Sequence, residues 1–142
     1  MIDFKFDWDP SLELGIPPID TQHQQFFKIG RQIEQLLLIY CAGATKETLL
    51  NILYELRDFI TYHFFTEEEY MLSLNYPDIE MHIKEHQTFQ AYINHIDYDQ
   101  LCASPQKALA DIKDELVKWI FNHVVHCDRA LGEFAKNHPN ES

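Results

Sequence analysis

Residues 62–86 read YHFFTEEEYMLSLNYPDIEMHIKEH, and this stretch decides the fold. It holds two pairs, His63 with Glu67 and His82 with His86. Each pair is spaced i, i+4, so its members share one helical face. Between the pairs, Asn75-Tyr76-Pro77-Asp78 stops one helix and starts another, because the residue before a proline avoids helical torsions. The stretch is a helical hairpin that turns three imidazoles and one carboxylate toward each other. That is half of a metal site, and the rest of the chain must be asked for the other half.

The apolar periodicity extends outward on both sides. One helix is expected over 46–73, with the stripe Leu49, Leu53, Leu56, Ile60, His63, Glu67, Tyr70. His63 and Glu67 thus take core positions, while Glu68 and Glu69 fall off the stripe and read as solvated. The next helix is expected over 78–98, where His82 and His86 stand among Ile79, Ile83, Phe89 and Ile93. Upstream, Asp20 reads as the N-cap of a helix over 20–41 whose face runs His23, Phe26, Gly30, Ile33, Leu37. Gly43 is expected to end it and Thr45 to cap the following helix. Downstream, Ser104 and Pro105 open a last helix carrying Leu109, Ile112, Leu116, Trp119, His123, Cys127, Ala130 and Phe134.

Four amphipathic helices with short links predict an all-α fold, an up-down-up-down four-helix bundle forming one domain over 1–142. Residues 1–18, broken by Pro10, Gly15, Pro17 and Pro18, form an extended N-terminal arm. Residues 19–136 form the bundle and 137–142 a frayed polar tail. In this topology His23, His63, Glu67, His82, His86 and His123 all lie near one end, within a layer about 15 Å deep at roughly 1.5 Å per residue. A single histidine on an apolar face is ordinarily a satisfied core group. Five imidazoles and a carboxylate in one layer would leave several polar groups buried without partners unless a metal joins them. His95 and His138 lie off the stripes and read as surface residues.

A two-metal site needs a second carboxylate near His123. His126 sits at i+3 on the same face. Asp128, at i+5, lies about 140° round an ideal helix and would face the layer only through an underwound turn such as a π-bulge. Spacing favours His126, whereas charge and chemistry favour Asp128.

Composition excludes other classes. With 11 basic against 23 acidic residues the net charge is −12, which repels nucleic acid and anionic membrane surfaces. The acidic N-terminus is no signal peptide. The longest apolar run, 36–44, is about half of the roughly 20 residues a membrane span needs. Three cysteines, Cys41, Cys102 and Cys127, show no paired spacing and read as reduced thiols of a cytoplasmic protein.

The ordered set IDTQH with His23, HFFTEE with His63 and Glu67, NYPDIEMHIKEH with His82 and His86, and HVVHCD with His123 and Asp128 resembles the hemerythrins, particularly bacterial hemerythrin-like proteins. The resemblance runs over nearly the whole chain. One departure is Asn75 before Tyr-Pro, where the family more often has glycine. The resemblance implies that Asp128 is a ligand and His126 is not. It implies two iron ions bridged by Glu67, Asp128 and an oxo or hydroxo group. His82, His86 and His123 would serve one iron, and His23 and His63 the other, which keeps an open position for dioxygen. Ligand type alone suits iron without excluding manganese or zinc. Trp119, Ile120, Phe59 and Ile60, one turn before His123 or His63, are candidates for an apolar oxygen pocket and read equally well as bundle core.

The expected function is reversible dioxygen binding for storage, delivery or buffering, not an enzymatic reaction. The alternative is an oxygen- or redox-sensing module acting on an attached or partner signalling domain. A diiron oxidase is disfavoured, because Glu-x-x-His, the hallmark of ferritin-like diiron sites, occurs nowhere in the chain.

Overall fold

The computed structural model describes residues 4–138, so the first three residues of the arm and positions 139–142 of the expected tail lie outside it. The fold is an all-α, up-down-up-down four-helix bundle preceded by an N-terminal arm that is not extended throughout: Pro10–Leu12 form a 3-10 turn capped by Asp9. Helix α1 spans Pro17–Leu38, α2 Lys46–Ser73 and α3 Ile79–Asn94. The short α4, Tyr98–Ala103, leads into a composite fourth arm: α5 Pro105–Trp119, a π-helical segment Ile120–Asp128, and α6 Arg129–Asn137. Helix α1 packs on α2 and α5, and α2 packs on α3.

Apolar side chains at 3–4 residue spacing build a long core, with Ile29, Ile33, Leu53, Leu56, Ile60, Ile93, Leu109 and Leu116 out of reach of water. A smaller cluster of Ile16, Ile19, Met71, Tyr76 and Leu131 closes the opposite end. The imidazole and carboxylate residues lie in the register between these clusters. Among the described residues no helix is long and apolar enough to cross a membrane.

Several boundaries differ from those expected, each for a local reason. Helix α1 begins at Pro17, not Asp20, because prolines fit the first turn, where an N–H has no helical partner. Asp20 instead reaches back and accepts from the backbone N–H of Leu14, Gly15 and Ile16 at 2.7, 3.1 and 3.2 Å. The helix ends at Leu38 rather than 41, since Tyr40 and Cys41 take left-handed torsions and Cys41 N–H returns to the Leu36 carbonyl at 2.8 Å. Helix α3 stops at Asn94, where the Arg57 guanidinium donates to the carbonyls of Ile93, Asn94 and Ile96. Asp97 then caps the unexpected α4, accepting from Asp99 and Gln100. Thr45 caps α2 as anticipated, in a reciprocal pair with Thr48. Ser104 holds the N-cap position of α5 without a side-chain bond.

The arm is pinned by one buried carboxylate. Glu34 accepts from the backbone N–H of Lys5 and Phe6, both at 2.8 Å, with the Lys113 ammonium 3.4 Å away. This seats the buried Phe6 ring on Gly30, where an added Cβ would lie 2.3 Å from the ring. Gly30→Ala therefore sets two effects against each other. Alanine favours the helix by about 1 kcal/mol, while displacing a buried phenylalanine costs about 2–3 kcal/mol. A net loss of about 1–2 kcal/mol is expected in urea unfolding, and a stabilised variant would mean that Phe6 does not anchor the arm.

Candidate metal centre

Seven side chains meet in the layer: His23 from α1, His63 and Glu67 from α2, His82 and His86 from α3, and His123 and Asp128 from the π-helical segment. Both carboxylates are wholly buried, and each imidazole is at most 3% exposed. Every ring presents Nε2 inward.

The two carboxylates divide their oxygens between two groups of rings. Glu67 Oε1 lies 3.0 Å from His86 and 3.3 Å from His82, while Oε2 lies 3.1 Å from His63 and 3.4 Å from His23. Asp128 Oδ1 lies 2.9 Å from His82 and 3.0 Å from His123, while Oδ2 lies 3.2 Å from His23. The donors thus form a group of Glu67, Asp128 and three imidazoles, and a second group of the same carboxylates with two imidazoles.

The π-helical turn brings Asp128, rather than His126, into the layer. A turn with i→i+5 hydrogen bonding brings i and i+5 onto one face. The Arg129 N–H accordingly reaches the Val124 carbonyl. Asp128 is buried beside His123, and His126 is exposed to solvent. His95 and His138 are exposed as anticipated. The Cys127 thiol stays outside the layer and donates to Glu85 at 3.3 Å.

The donors fit a cation. His23 Nε2, Glu67 Oε2, His123 Nε2 and both Asp128 oxygens are buried without a properly angled hydrogen bond, although they approach each other within ion-pair range. Such orphaned groups are costly in a protein interior. Nitrogen and carboxylate donors without thiolate suit iron, manganese or zinc.

Without a metal the layer approaches neutrality through protons. Burial pulls the His23 pKa down, but contact with the Asp128 and Glu67 carboxylates outweighs it and pushes the value up to about 10. The same balance pushes His82 up to about 9. Burial raises Glu67 and Asp128, yet the surrounding imidazoles hold both well below the usual carboxylate range. Burial pulls His123 down too, but Asp128 and Glu85 shift it upward as well, so imidazolium protons offset the two carboxylates, and a bound metal would displace those protons.

Outside the layer, each Nδ1 with an acceptor is fixed by it. His86 Nδ1 donates to Glu68 Oε2 at 2.8 Å and His123 Nδ1 to Glu85 Oε1 at 2.9 Å. His63 Nδ1 donates to Gln22 Oε1 at 2.7 Å. The amide of Gln22 is oriented by Thr66, whose hydroxyl donates to the Tyr62 carbonyl and so accepts from Gln22 Nε2. Glu68 is therefore not simply solvated, and the roles of Gln22 and Glu85 were not foreseen. The usable signal was the rule that a ligating histidine engages an acceptor through its second nitrogen.

The pocket candidates occupy two places. Phe59 lies parallel to His63, with centroids 5.4 Å apart, and Ile60 is buried in the core behind it. Trp119 instead stacks on His123 at 3.9 Å and on Phe89 at 4.3 Å. It floors an open groove of about 550 Å³ between α3 and α5, on the three-imidazole side. Ile120 is buried at the start of the π-helical segment. Phe64, not singled out from the sequence, lies flat on His86 at 3.8 Å and within 5.8 Å of His63.

Fold and site together define a four-helix bundle with a buried cluster able to bind metal, its candidate ligands drawn from all four helical arms. The chain belongs to the hemerythrin family: residues 14–135 match the model of the hemerythrin HHE cation binding domain. It is 32% identical over 129 residues to a bacteriohemerythrin of Clostridium acetobutylicum, covering 87% of this chain and 96% of that protein. It is 27% identical over 117 residues to a bacteriohemerythrin of Aquifex aeolicus, covering 81% and 86%. A hemerythrin-like protein of Naegleria gruberi is 27% identical over 124 residues, covering 87% of each chain. No solved structure matches at comparable significance.

Proposed function

We propose that this chain binds dioxygen reversibly at a non-heme diiron centre, for storage, delivery or buffering. The observation that carries the proposal is the division of the Glu67 and Asp128 oxygens between two groups of imidazoles. Glu67 and Asp128 would bridge the metals, His82, His86 and His123 would hold one, and His23 and His63 the other. When bound, a ferrous pair supplies two electrons and, on the side with one imidazole fewer, room for an exogenous ligand.

The protein's own contribution is exclusion and orientation. Gln22 holds the His63 ring with its lone pair inward. Phe59 covers that ring with an apolar face. Neither is an acid, so neither drives bound oxygen toward irreversible reduction. The Cys127 thiol, pushed up to about 12 by burial and by Glu85, keeps its proton.

The test is spectroscopic. Reduced, iron-loaded protein exposed to air should develop a visible charge-transfer band that fades when oxygen is removed. Direct passage to the oxidised form without that band would refute reversible binding. Trp119 stacks over the His123 ring where that ring borders the α3–α5 groove. Trp119→Ala should therefore admit water and shorten the lifetime of the oxygenated form severalfold in stopped-flow decay. An unchanged lifetime would show that the groove is not the route by which water enters.

A further inference from the structure

The outward-facing nitrogens of the two imidazole groups are treated differently. On the three-imidazole side, His86 and His123 each donate to a carboxylate, Glu68 at 2.8 Å and Glu85 at 2.9 Å. On the two-imidazole side, His63 donates to the neutral amide of Gln22, and His23 Nδ1 is buried with no partner. Fixing a tautomer does not require charge, because Gln22 does it at 2.7 Å. The two carboxylates therefore add something an amide would not.

We infer that Glu68 and Glu85 are positioning residues that make the three-imidazole metal the better holder of ferric charge, leaving the two-imidazole metal the readier to return to the ferrous state. This inference rests on the diiron reading above. A carboxylate accepting from Nδ1 draws the shared proton outward and raises electron density at Nε2, which strengthens donation to a more highly charged metal. Each also places a negative charge one ring away from the layer. His86 and His123 are each 1% exposed, so the inner ends of these hydrogen bonds are shielded, although Glu68 and Glu85 are themselves 31% and 38% exposed. On the other side Gln22 supplies only a dipole. When an outer-sphere acceptor such as hexacyanoferrate(III) removes one electron and becomes hexacyanoferrate(II), no bond forms or breaks. The positive charge left behind settles on the side of Glu68 and Glu85.

The test is a potentiometric titration of iron-loaded protein, followed in the visible, for the parent, Glu68→Gln, Glu85→Gln, the double variant and Gln22→Glu. All are near-isosteric, and iron per chain is measured first. Each Glu→Gln change should weaken the preference for ferric over ferrous iron about tenfold, an upward shift of about 59 mV in a one-electron couple. The double variant should shift further, and Gln22→Glu should shift the potential downward. Unchanged potentials, or shifts of the same sign in Glu85→Gln and Gln22→Glu, would overturn the inference. Should a Glu→Gln variant shed iron, Gln22→Glu reads the claim from the opposite side, a downward shift supporting it and no shift refuting it. A parent protein that does not hold two irons would instead defeat the diiron reading itself.

Discussion

Asp128→Ala should abolish the paired site. The variant is expected to retain less than half of the parent's iron, because one residue is removed from both donor groups at once. His82, His123 and His23 lose the oxygens that stand 2.9, 3.0 and 3.2 Å from them. Breaking a buried charge pair by removing one partner costs about 3–5 kcal/mol, and loss of the metals' contribution to folding adds to it. His126→Ala is the matched control. Its side chain is exposed, so it should change stability by no more than about 0.5 kcal/mol and leave iron and visible spectrum intact. Metal analysis and urea unfolding of the two variants side by side would check this. Equal iron in both, or loss confined to His126→Ala, would remove Asp128 from the site.

Removing the metal should make stability strongly pH-dependent on the alkaline side. In the metal-free fold His23 and His82 are raised from 6.5 to about 10 and about 9. A raised folded value contributes stability that is full below the unfolded pKa and is lost as pH climbs through the folded one. The loss should therefore begin near the ordinary value of 6.5 and be complete once pH has passed about 9 and about 10. Glu67 and Asp128, held low, contribute stability that is present above the ordinary carboxylate range and lost as pH falls through their depressed values. In metal-loaded protein the imidazoles must be neutral to bind, so the alkaline loss should vanish, while acid should expel the metal. Chelated protein is expected to lose several kcal/mol across that window, a fall of at least about 10 °C in melting temperature. Parallel melting curves with and without chelator would show that the imidazoles carry no such protons.

The parts of this arrangement that were legible from sequence are those governed by a constant helical period. His63, Glu67, His82 and His86 could be placed because α2 and α3 keep 100° per residue through them. His123 followed from the stripe of α5. Asp128 could not be placed by spacing, because the π-helical segment abandons the period on which spacing relies. Asp20 misled because an aspartate before an apolar run looks like a cap, whereas here it closes the turn behind it. Glu68 and Glu85 were hidden for a different reason. A stripe treats off-face carboxylates as solvated, yet the second nitrogen of a buried imidazole reaches across the flank of its helix to find one. Short α4 has too few residues to show a stripe. The clasp of Phe6, Gly30 and Glu34 depends on contacts between segments far apart in the chain. The family resemblance supplied Asp128, and the π turn provides its physical reason.

The central claim is that two shared carboxylates hold two metals between unequal sets of imidazoles. Iron content per chain in protein produced with ample iron tests it most directly. Two irons per chain are expected, retained in His126→Ala and lost from Asp128→Ala. One iron per chain, or a preference for zinc when both metals are offered, would contradict it.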